Sequence, residues 1–186
     1  MPLPISGAAH ESSAVARDFV WFIYGSSLDR DAFASWAREH GYVLPDFSRG
    51  FAARLDGWRL SFDVASRYWG GAVASLAVAP AASVEGLALP MPGAARGLAD
   101  HKEGAISGLY RPIEVTIAPL RGGTPTNAIA YVASPDRRLA SEGPPGPAWL
   151  ETVIRGARAV RLSAEWIAEL EGLREASQSQ GSRLGL

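Results

Sequence analysis

The run Phe19-Val20-Trp21-Phe22-Ile23-Tyr24 constrains the fold more than any other part of this chain. Unbroken β-branched and aromatic residues favour an extended backbone. A strand apolar on both faces must be covered on both, so it belongs at the centre of a sheet. The run stops at Gly25-Ser26-Ser27. Asp29 to His40 follows, with Phe33 and Trp36 spaced as one face of a short helix.

Phe51 to Asp63 reads as a second strand, with Leu60 and Phe62 on one face and a bulge or bend at Gly57. Ala72 to Val78 reads as a third that Pro80 ends, and Val84 to Leu89 as a separate short one closing at Pro90. Ala94 to Glu103 is a short helix stopped at Gly104. Ile113, Val115 and Ile117 alternate with polar Glu114 and Thr116 behind Pro112, and Asn127 to Ala133 supplies a last strand. Pro144-Pro145-Gly146-Pro147 introduces a helix from Ala148 to about Val160. Ser163 is placed to cap another that carries Trp166, Ile167 and Leu170. Strands outnumber helices without alternating regularly, which makes the class α+β and not a doubly wound sheet. A chain of 186 residues is long enough for one domain with a real core. Residues 1–18 read as a loose lead-in, 19–175 as that single domain, and 176–186, with its SQSQGS stretch, as a disordered tail.

Charge and composition remove several functions. With 18 Lys+Arg against 19 Asp+Glu, the chain lacks the basic excess expected of a nucleic-acid binder. It has no cysteine, which excludes thiol nucleophiles, thiolate metal sites and disulfides, and is compatible with a reducing cytoplasm. No segment approaches the ~18 consecutive apolar residues of a membrane helix, and the opening residues do not read as a secretion signal. His10, His40 and His101 have no ligand spacing among them, and no G-x-S-x-G elbow, phosphate loop or dinucleotide fingerprint occurs.

Two segments carry candidate chemistry. The first is the strand-to-helix turn Tyr24-Gly25-Ser26-Ser27-Leu28. It is either an ordinary capped loop or a small-residue bend whose backbone N–H groups suit a carboxylate or other anion. The second is Asp100-His101-Lys102-Glu103-Gly104, followed by Ser107-Gly108-Leu109-Tyr110. An acid at a helix end, against the negative end of the dipole, is either a solvated surface charge or a group whose pKa is raised toward catalytic use.

Taken together, these segments resemble the γ-glutamylcyclotransferase family. Its opening strand and Y-G-S-N motif correspond to Phe19 to Leu28, and its D-x-x-E-G followed by tyrosine corresponds to Asp100, Glu103, Gly104 and Tyr110. Ala53-Arg54-Leu55 with Leu60-Ser61-Phe62, Gly70-Gly71, Val84-x-Gly86 and Gly156-Ala157 match further family positions, so the likeness runs from about Phe19 to Leu173. Ser27 departs from the family's asparagine, and Trp149 stands where a tyrosine near the substrate is usual.

The resemblance implies a small mixed β-barrel flanked by helices, with the site at the barrel mouth. It implies an enzyme that releases 5-oxoproline from a γ-glutamyl amine or peptide. Glu103 would be the general base and then the acid. The N–H groups of Gly25 to Leu28 would hold the substrate carboxylate, with Tyr24, Ser26, Ser27, Leu28, Tyr110 and Trp149 around the substrate. Tyr110 is expected to hydrogen-bond Glu103 or substrate, or else to be a half-buried core tyrosine. Asp100 is assigned a structural role, and Arg54 a lesser one in pocket electrostatics or simple solvation. No metal or other cofactor is implied, and the partner is a small γ-glutamyl molecule, with no nucleic acid or membrane and a cytoplasmic location. Two other readings keep the same site: a biosynthetic cyclotransferase that strips a γ-glutamyl group from a secondary metabolite, and a module that binds a γ-glutamyl or carboxylate ligand without turnover.

Overall fold

The structure, a computed structural model, describes residues 16–184. The expected lead-in falls mostly, and His10 entirely, outside them. The elements in chain order are β1 (Phe19–Ile23), α1 (Arg30–Glu39), β2 (Phe51–Ser66), β3 (Gly71–Met91), α2 (Arg96–Lys102), β4 (Tyr110–Pro119), β5 (Thr126–Ala133), α3 (Pro147–Ala159) and α4 (Ala164–Leu184). The five strands close into a barrel in the order β1-β3-β2-β4-β5. β1 pairs antiparallel with β3 (Phe19↔Met91 to Ile23↔Leu87) and in parallel with β5 through Trp21↔Ile129. The doubly apolar run is therefore a central strand. Trp21, Phe22 and Ile23 are fully buried, and Trp21 packs edge-on to Phe33 of α1 and Tyr131 of β5 at 5.8 and 6.2 Å between centroids.

β2 and β3 form a long hairpin with a register break at Gly57, whose φ of +82° a side chain would resist. Pairing jumps from Trp58↔Val78 to Asp56↔Ser83, leaving Ala79 to Ala82 outside the ladder. The expectation that Pro80 ends a strand is thus corrected: β3 is continuous, because Pro80 sits where no ladder bond needs its missing N–H. Of the expected tail, residues 176–184 continue α4, which runs on to Leu184, and 185–186 lie outside the described residues. Beyond its glycine and serines the segment is rich in good helix formers. Ser177 is buried with its hydroxyl donating to Pro145 O at 2.6 Å, which ties the last turns to the body.

α3 presses Leu150, Val153, Ile154 and Ala157 onto the barrel. Gly156 lets it approach the chain after β1, since a Cβ there would lie 2.5 Å from the Leu28 carbonyl carbon. The segment before α3 is strapped to β2 and β3: Leu139 N–H donates to Asp63 O at 2.7 Å, Gly143 N–H to Phe62 O at 2.9 Å and Ala72 N–H to Pro144 O at 2.9 Å. This strap fixes the start of α3 and with it Trp149.

Candidate active site

After β1 the chain makes a single 3-10 turn, Ser26–Leu28. Leu28 N–H closes on Gly25 O at 3.0 Å, while the turn carries no side-chain cap for its leading N–H groups. Asp29 then caps α1, accepting from Asp31 N and Ala32 N at 3.1 and 3.0 Å. Its other oxygen takes Arg155 of α3 at 2.8 Å from Nε and 2.6 Å from Nη2. The turn is therefore held rigidly from behind.

α2 points its C-terminal end at this turn. Glu103 occupies the C-cap, and Gly104, at φ +72°, stops the helix as expected. The Ser27 hydroxyl donates to Glu103 Oε1 at 2.9 Å, joining segments 76 residues apart. Burial pushes the Glu103 carboxyl above its usual range, while the Lys102 ammonium and the Ser27 hydrogen bond pull it back. The acid is thus not a free surface charge.

A cavity of about 230 Å³ opens before Glu103. Tyr24, Gly25, Ser26, Ser27, Tyr110 and Trp149 line it with Glu103. Leu28 does not: it is wholly buried against α3, and its N–H is spent within the turn, so only the N–H groups ahead of it remain for a ligand. Of the two expectations for Tyr110, the structure meets that of a tyrosine packed into the core, at 9% exposure. Its hydroxyl donates to Ala74 O at 2.7 Å and not to Glu103, because the barrel register brings a β3 carbonyl within reach first. Arg54 lies on exposed β2 surface, paired with Asp56 at 2.6 Å and outside the cavity. Asp100 accepts from Tyr131 Oη at 2.6 Å and Arg96 Nε at 2.9 Å, a structural cross-tie between α2 and β5.

Sequence reasoning passed over several neighbours. Lys102 lines the same cavity and holds its ammonium over the rings of Phe33 and Trp36 at 5.4 and 5.0 Å. Burial pushes its pKa down. Its place beside Glu103, as the chain's one lysine, was the available signal. Tyr131 and Trp21 reach the cavity from β5 and β1, and the buried Trp21 indole Nε1–H has no acceptor among the described residues. Burial raises Tyr24, Tyr110 and Tyr131 above their ordinary values, so all three stay protonated donors at neutral pH. His40 and His101, far apart in sequence, meet edge-on at 5.1 Å, and His101 Nδ1 lies 3.1 Å from Tyr42 Oη. Among the described residues no cluster of three potential metal ligands forms.

A closed five-strand barrel with helices packed around it is the γ-glutamylcyclotransferase-like fold. Residues 83–170 match the AIG2-like family. Bovine γ-glutamylcyclotransferase is 28% identical over 161 residues, 83% of this chain and 78% of that protein. A solved γ-glutamyl cyclotransferase structure superposes with a TM-score of 0.67 at 25% identity, covering 83% of this chain and 87% of that one. An uncharacterised human protein does so at 0.69 and 24% identity, with coverage of 83% and 87%. The chain is thus similar to AIG2-like proteins over residues 83–170 and to γ-glutamylcyclotransferases in sequence and fold over most of its length. No helix among the described residues is long and apolar enough to cross a membrane.

Proposed function

We propose that this protein is a cytoplasmic γ-glutamylcyclotransferase-type enzyme that converts a γ-glutamyl amine or peptide to 5-oxoproline and the free amine. The observation that carries the reading is the Ser27–Glu103 hydrogen bond, which sets a carboxylate of raised pKa at the end of the turn best suited to an anion. In the γ-glutamyl substrate the nucleophile and electrophile are already tethered, so the site has only to hold the folded conformer and move protons. The N–H groups of Ser26 and Ser27 hold the α-carboxylate. Glu103 takes a proton from the α-ammonium, and the freed amine attacks its own γ-carbonyl to form the ring C–N bond. Glu103 then returns that proton to the departing nitrogen as the old amide C–N bond breaks, and the ring nitrogen gives up its remaining extra proton to the released amine, which leaves as an ammonium ion. Trp149 and Trp69 at the cavity wall bound the amine half.

The test is incubation with a panel of γ-glutamyl dipeptides and γ-glutamyl amines, monitoring 5-oxoproline and free amine in equal amounts. Turnover by the parent chain and none by Glu103→Gln is the expected result. Tight binding of panel members without turnover would favour a ligand-holding module instead.

A further inference from the structure

We propose that a second cavity, on the outer wall of the barrel, is a binding site for a small organic anion with an apolar body, of the class of a medium-chain carboxylate. The groove has a volume of about 1150 Å³ and shares no lining residue with the Glu103 cavity; the two adjoin across the Ser27–Leu28 peptide. Its floor is apolar, with Leu44, Phe47, Phe51 and Val160 partly exposed around the buried Leu28 and Leu87.

Three arginines from three separate elements meet at this groove: Arg30 from the first turn of α1, Arg121 from the β4–β5 turn, and Arg161 just past α3. Arginines such as Arg59, Arg138 and Arg155 are each paired with a carboxylate, but none of these three has one within ion-pair distance among the described residues. The single acid of the groove, Asp46, accepts from Ser48 N at 3.0 Å and Ser48 Oγ at 2.6 Å and lies in the field of Arg30, so it offsets one of the three charges and leaves those of Arg121 and Arg161. The groove is therefore apolar below and positive at its rim, which is complementary to a chain or ring bearing an anionic head.

Arg161 adds a backbone observation. It is the one described non-glycine residue with positive φ, +59°, in the position after α3 where Leu162 N–H closes on Ala157 O at 3.0 Å. Glycine is the residue that this helix-ending geometry favours. Arg161→Gly thus removes a guanidinium from the rim while relieving the backbone, so loss of binding and loss of folding are separated in one variant.

Isothermal titration of the full chain with decanoate, against decylammonium as the cationic match, tests the site. Decanoate should bind one to one and decylammonium at least about tenfold more weakly. Arg121→Ala and Arg161→Gly should each weaken decanoate by about threefold to tenfold, Arg161→Gly with a melting temperature equal to or above the parent's. Glu103→Gln should leave decanoate affinity unchanged, which locates binding outside the other cavity. Equal affinity for both amphiphiles, undiminished decanoate binding by Arg161→Gly, or tighter capture of an acidic peptide than of decanoate would each overturn the proposal.

Discussion

Ser27 Oγ lies 2.9 Å from Glu103 Oε1 and donates to it, so the turn after the first strand and the end of the second helix share one hydrogen bond at the floor of the cavity. Hydrogen bonding to the charged form lowers a carboxyl pKa, and here it acts against burial. Ser27→Ala should let the Glu103 pKa rise, moving the acidic limb of the kcat/KM profile to higher pH and lowering neutral-pH activity about tenfold or more, the scale of a lost hydrogen bond to a charge. Ser27→Asn, which restores a donor, should return part of it. A profile unchanged in Ser27→Ala would separate the two residues functionally.

Lys102 pulls the same carboxyl down through its charge, a larger effect than that of Ser27. Lys102→Met should therefore shift the acidic limb in the same direction and further, with the melting temperature reporting the separate loss of the ring contacts. Because Lys102 is the only lysine, amine-directed acylation followed by peptide mapping reads its accessibility with and without a γ-glutamyl ligand.

Glu103 itself links activity to stability. Its folded pKa is raised, so at pH values between the unfolded and folded pKa the native state keeps a proton the unfolded chain has released. Stability contributed by this group is present below the unfolded pKa and lost as pH rises through the folded one. Glu103→Gln should lose about 10²-fold or more in kcat. Its melting temperature should gain on the parent's as pH rises from the ordinary glutamate value, about 4.3, through the raised folded one, a difference that scanning calorimetry at several pH values would show or deny.

Gly25 faces Trp149, with an added Cβ 3.7 Å from the indole, an ordinary contact. Gly25→Ala should accordingly be tolerated. Gly25→Val brings γ-methyls against Trp149 and should raise KM about tenfold while leaving the pH profile in place. Equal KM in both variants would free the turn of a binding role.

Gly156 is a packing position. A Cβ would fall 2.5 Å from the Leu28 backbone and 2.6 Å from Asp29 N. Gly156→Ala should cost about 1–3 kcal/mol by forcing α3 off the turn, seen in chemical denaturation.

Much of this architecture was written locally. The apolar run at Phe19, the helix stop at Gly104 and the bend at Gly57 are properties of short segments, decided by side-chain branching, burial on both faces and positive φ. Glu103 was legible as a candidate, since an acid before a helix-stopping glycine is out of place on helix energetics alone, although a solvated surface charge fitted the same segment. The partners of those residues were not legible. Pro80 is tolerated because a register jump leaves it unpaired, and Tyr110 bonds Ala74 because barrel closure sets that carbonyl nearest. Leu28 serves the core and Ser27 the acid because α3 and α2 lie on opposite sides of one turn. The amino-acid order by itself determined which segments bend, extend or coil and which acid is anomalous. Only the closed barrel decided what that acid touches, because contacts between residues 76 positions apart depend on strand register and helix packing that no local preference encodes.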